Sequence, residues 1–188
     1  MHSPDEARWW FDSGALALDF AYTGAMGDRP EWEQLHTPAD LATWLEGRFD
    51  DVEGSVTEGD LRDAIALRAA IAHSAVRLSH GHPLLASDVD TINLYAAIPD
   101  IPPALAGGTR RAGRATARAA QALSVMAREA VELFGESNTE RIRECSADDC
   151  QIVFYDESRS NNRRWCSMAH CGNRAKVRKH RASVKGTT

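Results

Sequence analysis

The chain's four cysteines have a spacing typical of a metal site. Cys145 and Cys150 are separated by four residues, fifteen residues follow, and Cys166 and Cys171 repeat the C-x4-C spacing. Two such knuckles allow four thiolates to surround one Zn²⁺ ion at about 2.3 Å. We therefore predict one structural zinc ion per chain, bound by all four cysteines. Two disulfide bonds, another metal or a redox role are the alternatives that the spacing leaves open.

Charge is divided sharply along the chain. Residues 141–188 contain 11 Lys and Arg against 5 Asp and Glu, whereas residues 1–140 contain 11 against 22. Such an asymmetry predicts that the C-terminal end meets a polyanion and the remainder does not. An acidic body also weakens non-specific attraction to DNA, because the phosphates repel it.

The expected location is the cytoplasm, with reduced thiols. The N-terminus is acidic where a secretion signal would be basic, and no apolar segment follows it. No run approaches 18 uninterrupted apolar residues, so we expect neither a membrane span nor a membrane partner.

Apolar periodicity predicts a mainly α fold. A helical N-terminal domain would occupy residues 1–137, and residues 138–188 would form a small zinc module with a short β element and a basic helix. The predicted helices run from Thr37 to about Arg48, from about Thr57 to Gly81, from a cap at Ser87 to before Pro99, and from about 114 to 134. The compact β-type run is 151–155, between the knuckles.

The segment after the last cysteine predicts a nucleic-acid-binding helix. Gly172 would let backbone N–H groups approach the thiolates, and Asn173 would cap the helix. Five Lys and Arg residues fall within the eight positions 174–181. They would neutralise phosphates, with Asn173 or Arg174 reading base edges. A solvated helix is the alternative. The complete predicted set is Arg163, Arg164, Asn173, Arg174, Lys176, Arg178, Lys179 and Arg181, although one of the first two could instead pair with Asp156.

These C-terminal residues resemble a known family. The run Cys171-Gly172-Asn173-Arg174 matches the signature of the CGNR zinc fingers, and further matches are Cys145, Cys150, Phe154, Asp156, Ser158, Arg163, Arg164, Trp165, Cys166 and Lys176. Near the N-terminus, Leu18-Asp19-Phe20 followed by Thr23 resembles the ABATE domain. The resemblance implies a bacterial, often stress-linked transcription regulator that holds zinc by its four cysteines.

A small-molecule effector is a further expected partner. Asp19 lies within an apolar run, and a buried carboxylate needs a partner. Trp10, Asp19, Phe20 and Tyr22 are therefore candidates for an effector pocket, with core packing as the alternative. A homodimer also remains open.

The expected function is DNA-binding regulation of transcription, without enzyme activity. The chain has no HExxH, GxSxG, P-loop or dinucleotide motif. A site closed by four thiolates also leaves no coordination position for a substrate. The alternatives are a zinc-stabilised adaptor for protein or RNA, and an effector-binding protein whose zinc is purely structural.

Overall fold

The computed structural model describes residues 13–24, 26, 32–49, 54–101 and 118–185, with the backbone alone at 179, 180 and 182–185. The helices and strands of these ranges are α1 (Leu16–Ala21), α2 (Pro38–Glu46), α3 (Glu58–Ser79), α4 (Ala86–Ala96), α5 (Ala119–Phe134), β1 (Ile142–Glu144), β2 (Val153–Tyr155) and α6 (Asn173–Lys185). The predicted mainly α fold with a small four-cysteine module is confirmed. Each helix in these ranges is too short or too polar to cross a membrane.

Helices α2 and α3 begin where the sequence predicts, because local side-chain bonds fix their first turns. The Thr37 hydroxyl accepts a hydrogen bond from the Asp40 N–H, and the Asp40 carboxylate accepts one from the Thr37 N–H at 2.8 Å. Thr57 and Asp60 repeat this capping box at the start of α3. Such pairs satisfy N–H groups that the first turn of a helix leaves unbonded.

The predicted start of α4 needs a correction. Helix α4 begins at Ala86 with Leu85 as its N-cap, so Ser87 lies inside the first turn instead of capping the helix. Leu85 has no side-chain acceptor to offer, and its extended backbone makes the turn alone. The helix predicted from about 114 begins at Ala119, after the extended backbone of Arg118, and residues 102–117 lie outside the described part of the chain.

The hydrophobic core of the helical part lies around α1. This short helix packs against α3 and α5, and α4 packs against the same two helices. Phe20 is fully buried, and its ring lies 5.2 Å from that of Trp44 in α2. Burial of large apolar side chains contributes most of the stabilisation of such a core. The fully buried members include Leu18, Leu41, Leu67, Ile71, Leu123 and Met126.

A two-stranded antiparallel sheet opens the C-terminal module. Residues of β1 and β2 pair in the register Ile142↔Tyr155, Arg143↔Phe154 and Glu144↔Val153. Only the β2 region was predicted as a strand. On its other edge, β2 meets the N-terminal segment, where the Tyr155 N–H donates to the Ser13 carbonyl at 2.7 Å.

Tyr22 ties the module to the helical part. Its hydroxyl accepts a hydrogen bond from the Val153 N–H at 2.7 Å and donates one to the Val153 carbonyl at 2.9 Å. Burial raises the pKa of Tyr22 well above its usual value, so the hydroxyl stays protonated. His80, at the end of α3, also contacts Glu144 of β1 at 2.5 Å. The two parts thus share one hydrophobic cluster, and the domain boundary at 137–138 stays a prediction.

Candidate metal centre

The four cysteines converge on one buried point. Their sulfur atoms all lie within 4.8 Å of one another. The Cys150 and Cys166 sulfurs are 3.7 Å apart, and those of Cys166 and Cys171 are 3.6 Å apart. Among the described residues, no second group of three or more ligating side chains comes this close together.

These separations fit a tetrahedral metal site and exclude disulfide bonds in this arrangement. Four sulfurs at about 2.3 Å from a zinc ion would be about 3.8 Å from one another, close to the two separations given above. A disulfide requires sulfurs at about 2.05 Å, and all four cysteines are unpaired. The donor set is therefore able to hold one metal ion in a closed, four-thiolate site.

The first knuckle is held by backbone bonds of the module itself. Cys145 follows β1 directly, and its N–H donates to the Ile152 carbonyl at 2.8 Å, which extends the strand ladder. The Cys150 N–H closes a turn on the Ala147 carbonyl at 2.9 Å. The Cys166 N–H points at the Cys145 sulfur at 3.4 Å. Backbone donors of this kind stabilise a thiolate and orient it.

The second knuckle is a π-helical turn, Met168–Gly172, capped by Ser167. This turn corrects two expectations. The Gly172 N–H donates to the Ser167 carbonyl at 3.0 Å instead of approaching a thiolate. Asn173 does not cap α6; it continues the helical turn and donates from its amide to the Ala169 carbonyl at 3.2 Å.

The electrostatics of the cluster favour a cation at its centre. Hydrogen bonding from Cys166 lowers the pKa of Cys150 to about 5, whereas burial raises the pKa of Cys145 to about 11. The bond to Cys150 also raises the pKa of Cys166 far above its usual value. A thiolate therefore forms readily at Cys150, whereas burial and the charge on Cys150 oppose ionisation of Cys145 and Cys166. A divalent cation offsets that repulsion and allows the remaining thiols to lose their protons.

Two of the predicted nucleic-acid contacts, Arg174 and Arg178, face the first knuckle. One Arg174 nitrogen lies 3.1 Å from the Asp149 carboxylate, and the other lies 3.2 Å from the Cys171 sulfur. Arg178 also reaches Asp149, at 2.9 Å, and lies 3.7 Å from Asp148. The predicted set did not include this acidic turn. Its signal in the sequence is the Asp148-Asp149 pair directly before Cys150.

Arg163 points into the module. Its guanidinium lies 4.5 Å above the ring of the fully buried Phe154, and it donates to the Trp165 and Cys166 carbonyls. Its backbone N–H, and not its guanidinium, bonds the buried carboxylate of Asp156 at 2.8 Å. Burial opposes ionisation of Asp156, but hydrogen bonds from Ser158 and Arg163 outweigh it and lower its pKa.

The remaining predicted cations lie at the surface. Arg164, Lys176 and Arg181 are exposed. Arg164 stacks 5.1 Å from the Trp165 ring centre, while Lys176 and Arg181 have no acidic partner among the described side chains. The side chain of Lys179 lies outside the part of the chain that the structure describes.

Family models match nearly the whole described chain. Residues 14–137 match the ABATE family, a "putative stress-induced transcription regulator", and residues 141–183 match the CGNR zinc finger. The chain belongs to the ABATE family. Its C-terminal module is a CGNR zinc finger, as the resemblance implied, and neither family is one of enzymes. No curated protein matches the chain.

The predicted effector residues of the ABATE domain have separate surroundings. Trp10 lies outside the described residues. Asp19 lies in α1 and accepts a hydrogen bond from the Ser13 hydroxyl at 2.5 Å. Phe20 packs in the core, and Tyr22 bonds the zinc finger. None of these three described residues lines the cavity that lies beside α3 in the ABATE domain.

That cavity, of about 550 Å³, lies along one side of α3. Ala69, Ala72 and Val76 form its apolar floor, and His73 and Arg77 bring polar groups to it. A bidentate ion pair closes one wall, in which the Arg68 guanidinium bonds the Glu33 carboxylate at 2.6 and 2.7 Å. The volume lies within the range of small-molecule sites, about 300–1,000 Å³.

Proposed function

We propose that this ABATE protein is a cytoplasmic DNA-binding transcription regulator and not an enzyme. Its zinc finger would hold one Zn²⁺ ion through Cys145, Cys150, Cys166 and Cys171. The ion would have a structural role, because four thiolates complete its tetrahedral shell and leave no position for a substrate or water.

The choice of zinc rests on the donor set. Four buried sulfur ligands in a tetrahedral arrangement suit Zn²⁺ or iron bound by sulfur, and they suit Mg²⁺ and Ca²⁺ poorly. Zn²⁺ is the ion that commonly stabilises small modules of two knuckles. When bound, it supplies the positive charge that keeps four thiolates together.

The observation that carries DNA binding is the surplus of cations beside this site. Five Lys and Arg residues fall within positions 174–181 of a chain whose first 140 residues are strongly acidic. Exposed Lys176 and Arg181 have no acidic partner among the described side chains and are available for phosphates, and Arg164 is a further exposed cation of the module. Phosphate contacts of this kind provide affinity that does not depend on base sequence.

Unbiased selection of DNA tests this proposal. The zinc-loaded full chain would be incubated with random duplexes, and the bound fraction would be sequenced. We expect an enriched motif and binding that weakens steeply with salt. Recovery of random sequences at the level of a no-protein control would refute DNA binding.

The adaptor function is the second candidate, and one observation favours it. Arg174 and Arg178 are already paired with the acidic turn of the first knuckle, so fewer cations are available for phosphates than the sequence alone suggests. A finger that retains zinc but selects no DNA would favour a role as a docking surface for protein or RNA.

An effector remains part of the proposal, but support for it comes from the α3 cavity. Asp19, Phe20 and Tyr22 are engaged elsewhere, whereas the cavity combines an apolar floor with His73 and Arg77. Ala21 also lines the cavity, and the next residue, Tyr22, bonds β2 of the zinc finger. A ligand in the cavity would therefore act close to the joint between the two parts.

A further inference from the structure

Arg174 contacts both knuckles of the cysteine cluster at once. From α6 its guanidinium donates to the Cys171 sulfur at 3.2 Å, within the second knuckle. Its other nitrogen donates to Asp149 at 3.1 Å, in the turn that ends at Cys150. Because the guanidinium is planar and rigid, these two contacts fix its position between the knuckles.

The contact with sulfur matters most for the metal site. Four thiolates around a divalent ion leave a net charge of about −2, and a donor beside one sulfur reduces the repulsion among them. The pair with Asp149 is weaker support, because both side chains are close to half exposed and surface ion pairs contribute little. Asp149 serves instead to hold the guanidinium against the sulfur, and Arg178 holds Asp149 in turn at 2.9 Å.

We propose that Arg174 is a positioning residue of the metal site, which stabilises the bound Cys171 thiolate and clamps the two knuckles together through Asp149. This role replaces the base-reading role expected from the sequence, since both ends of the guanidinium are occupied. The inference rests on the proposed four-cysteine zinc site.

The experiment measures zinc affinity in the full chain by competition with a chromophoric chelator. Arg174→Ala is expected to weaken zinc binding by about 10- to 100-fold, the usual effect of removing an outer-shell partner. The Arg174→Lys variant keeps the charge, but its single ammonium group cannot reach sulfur and carboxylate together. We therefore expect a zinc affinity between those of the parent and of Arg174→Ala. The Asp149→Asn variant should lose less zinc affinity than Arg174→Ala, because the Arg174 donor to the Cys171 sulfur remains.

Arg159→Ala is the matched control. Arg159 is an exposed arginine of the same module that has no acidic partner among the described side chains, and its removal should leave zinc affinity within about two-fold of the parent. Arg174→Ala that binds zinc as tightly as Arg159→Ala would overturn the inference. A parent chain that binds no zinc would instead overturn the proposed metal site itself, so the two failures are distinguishable.

Cobalt substitution gives a second readout that a purely structural role would not change. A hydrogen bond to a thiolate stabilises its sulfur electrons, so its loss should move the sulfur-to-cobalt charge-transfer band to lower energy. We expect this shift in Arg174→Ala and not in Arg159→Ala. Identical bands in the two variants would show that Arg174 does not act on the thiolate.

Discussion

Replacing Tyr22 by Phe should weaken the attachment of the zinc finger to the helical part. In the β1–β2 ladder the Cys145 N–H bonds the Ile152 carbonyl, so the polar groups of the next residue, Val153, point away from β1. The Tyr22 hydroxyl bonds both of these groups: it accepts from the Val153 N–H at 2.7 Å and donates to the Val153 carbonyl at 2.9 Å. Tyr22 is 3% exposed and Val153 1%. The substitution would therefore leave a buried N–H and a buried carbonyl without a protein partner.

The expected loss of stability follows from these two unsatisfied backbone groups. Each buried backbone group left unsatisfied costs about 1–3 kcal/mol, and partial relaxation gives about 2–4 kcal/mol for the pair. For a chain of this length, 1 kcal/mol corresponds to about 2–4 °C in Tm, so the zinc-loaded variant should melt roughly 4–16 °C lower. Circular dichroism during heating measures this difference.

Tyr155→Phe is the control for this prediction. The Tyr155 hydroxyl makes only a long bond, 3.4 Å, to Asn138 at a half-buried position. Its removal should cost less than about 1 kcal/mol. If Tyr22→Phe and Tyr155→Phe lower Tm equally, the Tyr22 hydroxyl does not join the two parts as argued.

Three further substitutions test other parts of the structure by thermal unfolding. Gly14→Ala should destabilise the protein by at least about 1–2 kcal/mol, because Gly14 has a φ of +82° and an added Cβ would lie 2.5 Å from the Tyr155 carbonyl oxygen; an unchanged Tm would contradict this. Asp156→Asn, which replaces one of the two carboxylate oxygens that accept backbone N–H bonds, should cost about 1–3 kcal/mol; parental stability would contradict it. Burial opposes ionisation of Glu33, but hydrogen bonds from Arg68 outweigh it and hold its pKa below the usual value. The stability from this pair is therefore present above the ordinary Glu pKa of about 4.3 and lost as the pH falls through the lower folded value. Glu33→Gln should make the loss of stability at low pH smaller, and identical profiles of Tm against pH for parent and variant would refute this.

The sequence predicted the elements that local chemistry fixes. Thr37 and Thr57 each meet an Asp three residues later, and both helices begin there. Strand β1 was missed because Ile142-Arg143-Glu144 carries no alternating pattern, and it becomes a strand only through pairing with β2. The cap of α4 at Ser87 was wrong because the extended backbone at Leu85 makes the turn first.

For the metal site, too, the local features were predictable from the sequence and the long-range contacts were not. The two C-x4-C spacings were enough to predict that four cysteines meet, since each knuckle is local and the insert is short. The partners of the site were not predictable, because Asp149 and Arg174 are 25 residues apart and Tyr22 and Val153 are 131 apart. Charge counting also does not show the contacts of Arg174 with Cys171 and Asp149, because they depend on how α6 folds back over the first knuckle.

The most direct test of the proposed function is fluorescence anisotropy of labelled duplex DNA, titrated with the zinc-loaded full chain over a range of salt. We predict that log affinity falls linearly with log salt, with each phosphate contact contributing about −0.9 to the slope. Lys176→Ala should reduce the slope by about one while zinc stays bound, and removal of zinc should abolish binding. A protein that retains its zinc but binds no duplex above background, or binds it independently of salt, would contradict the account.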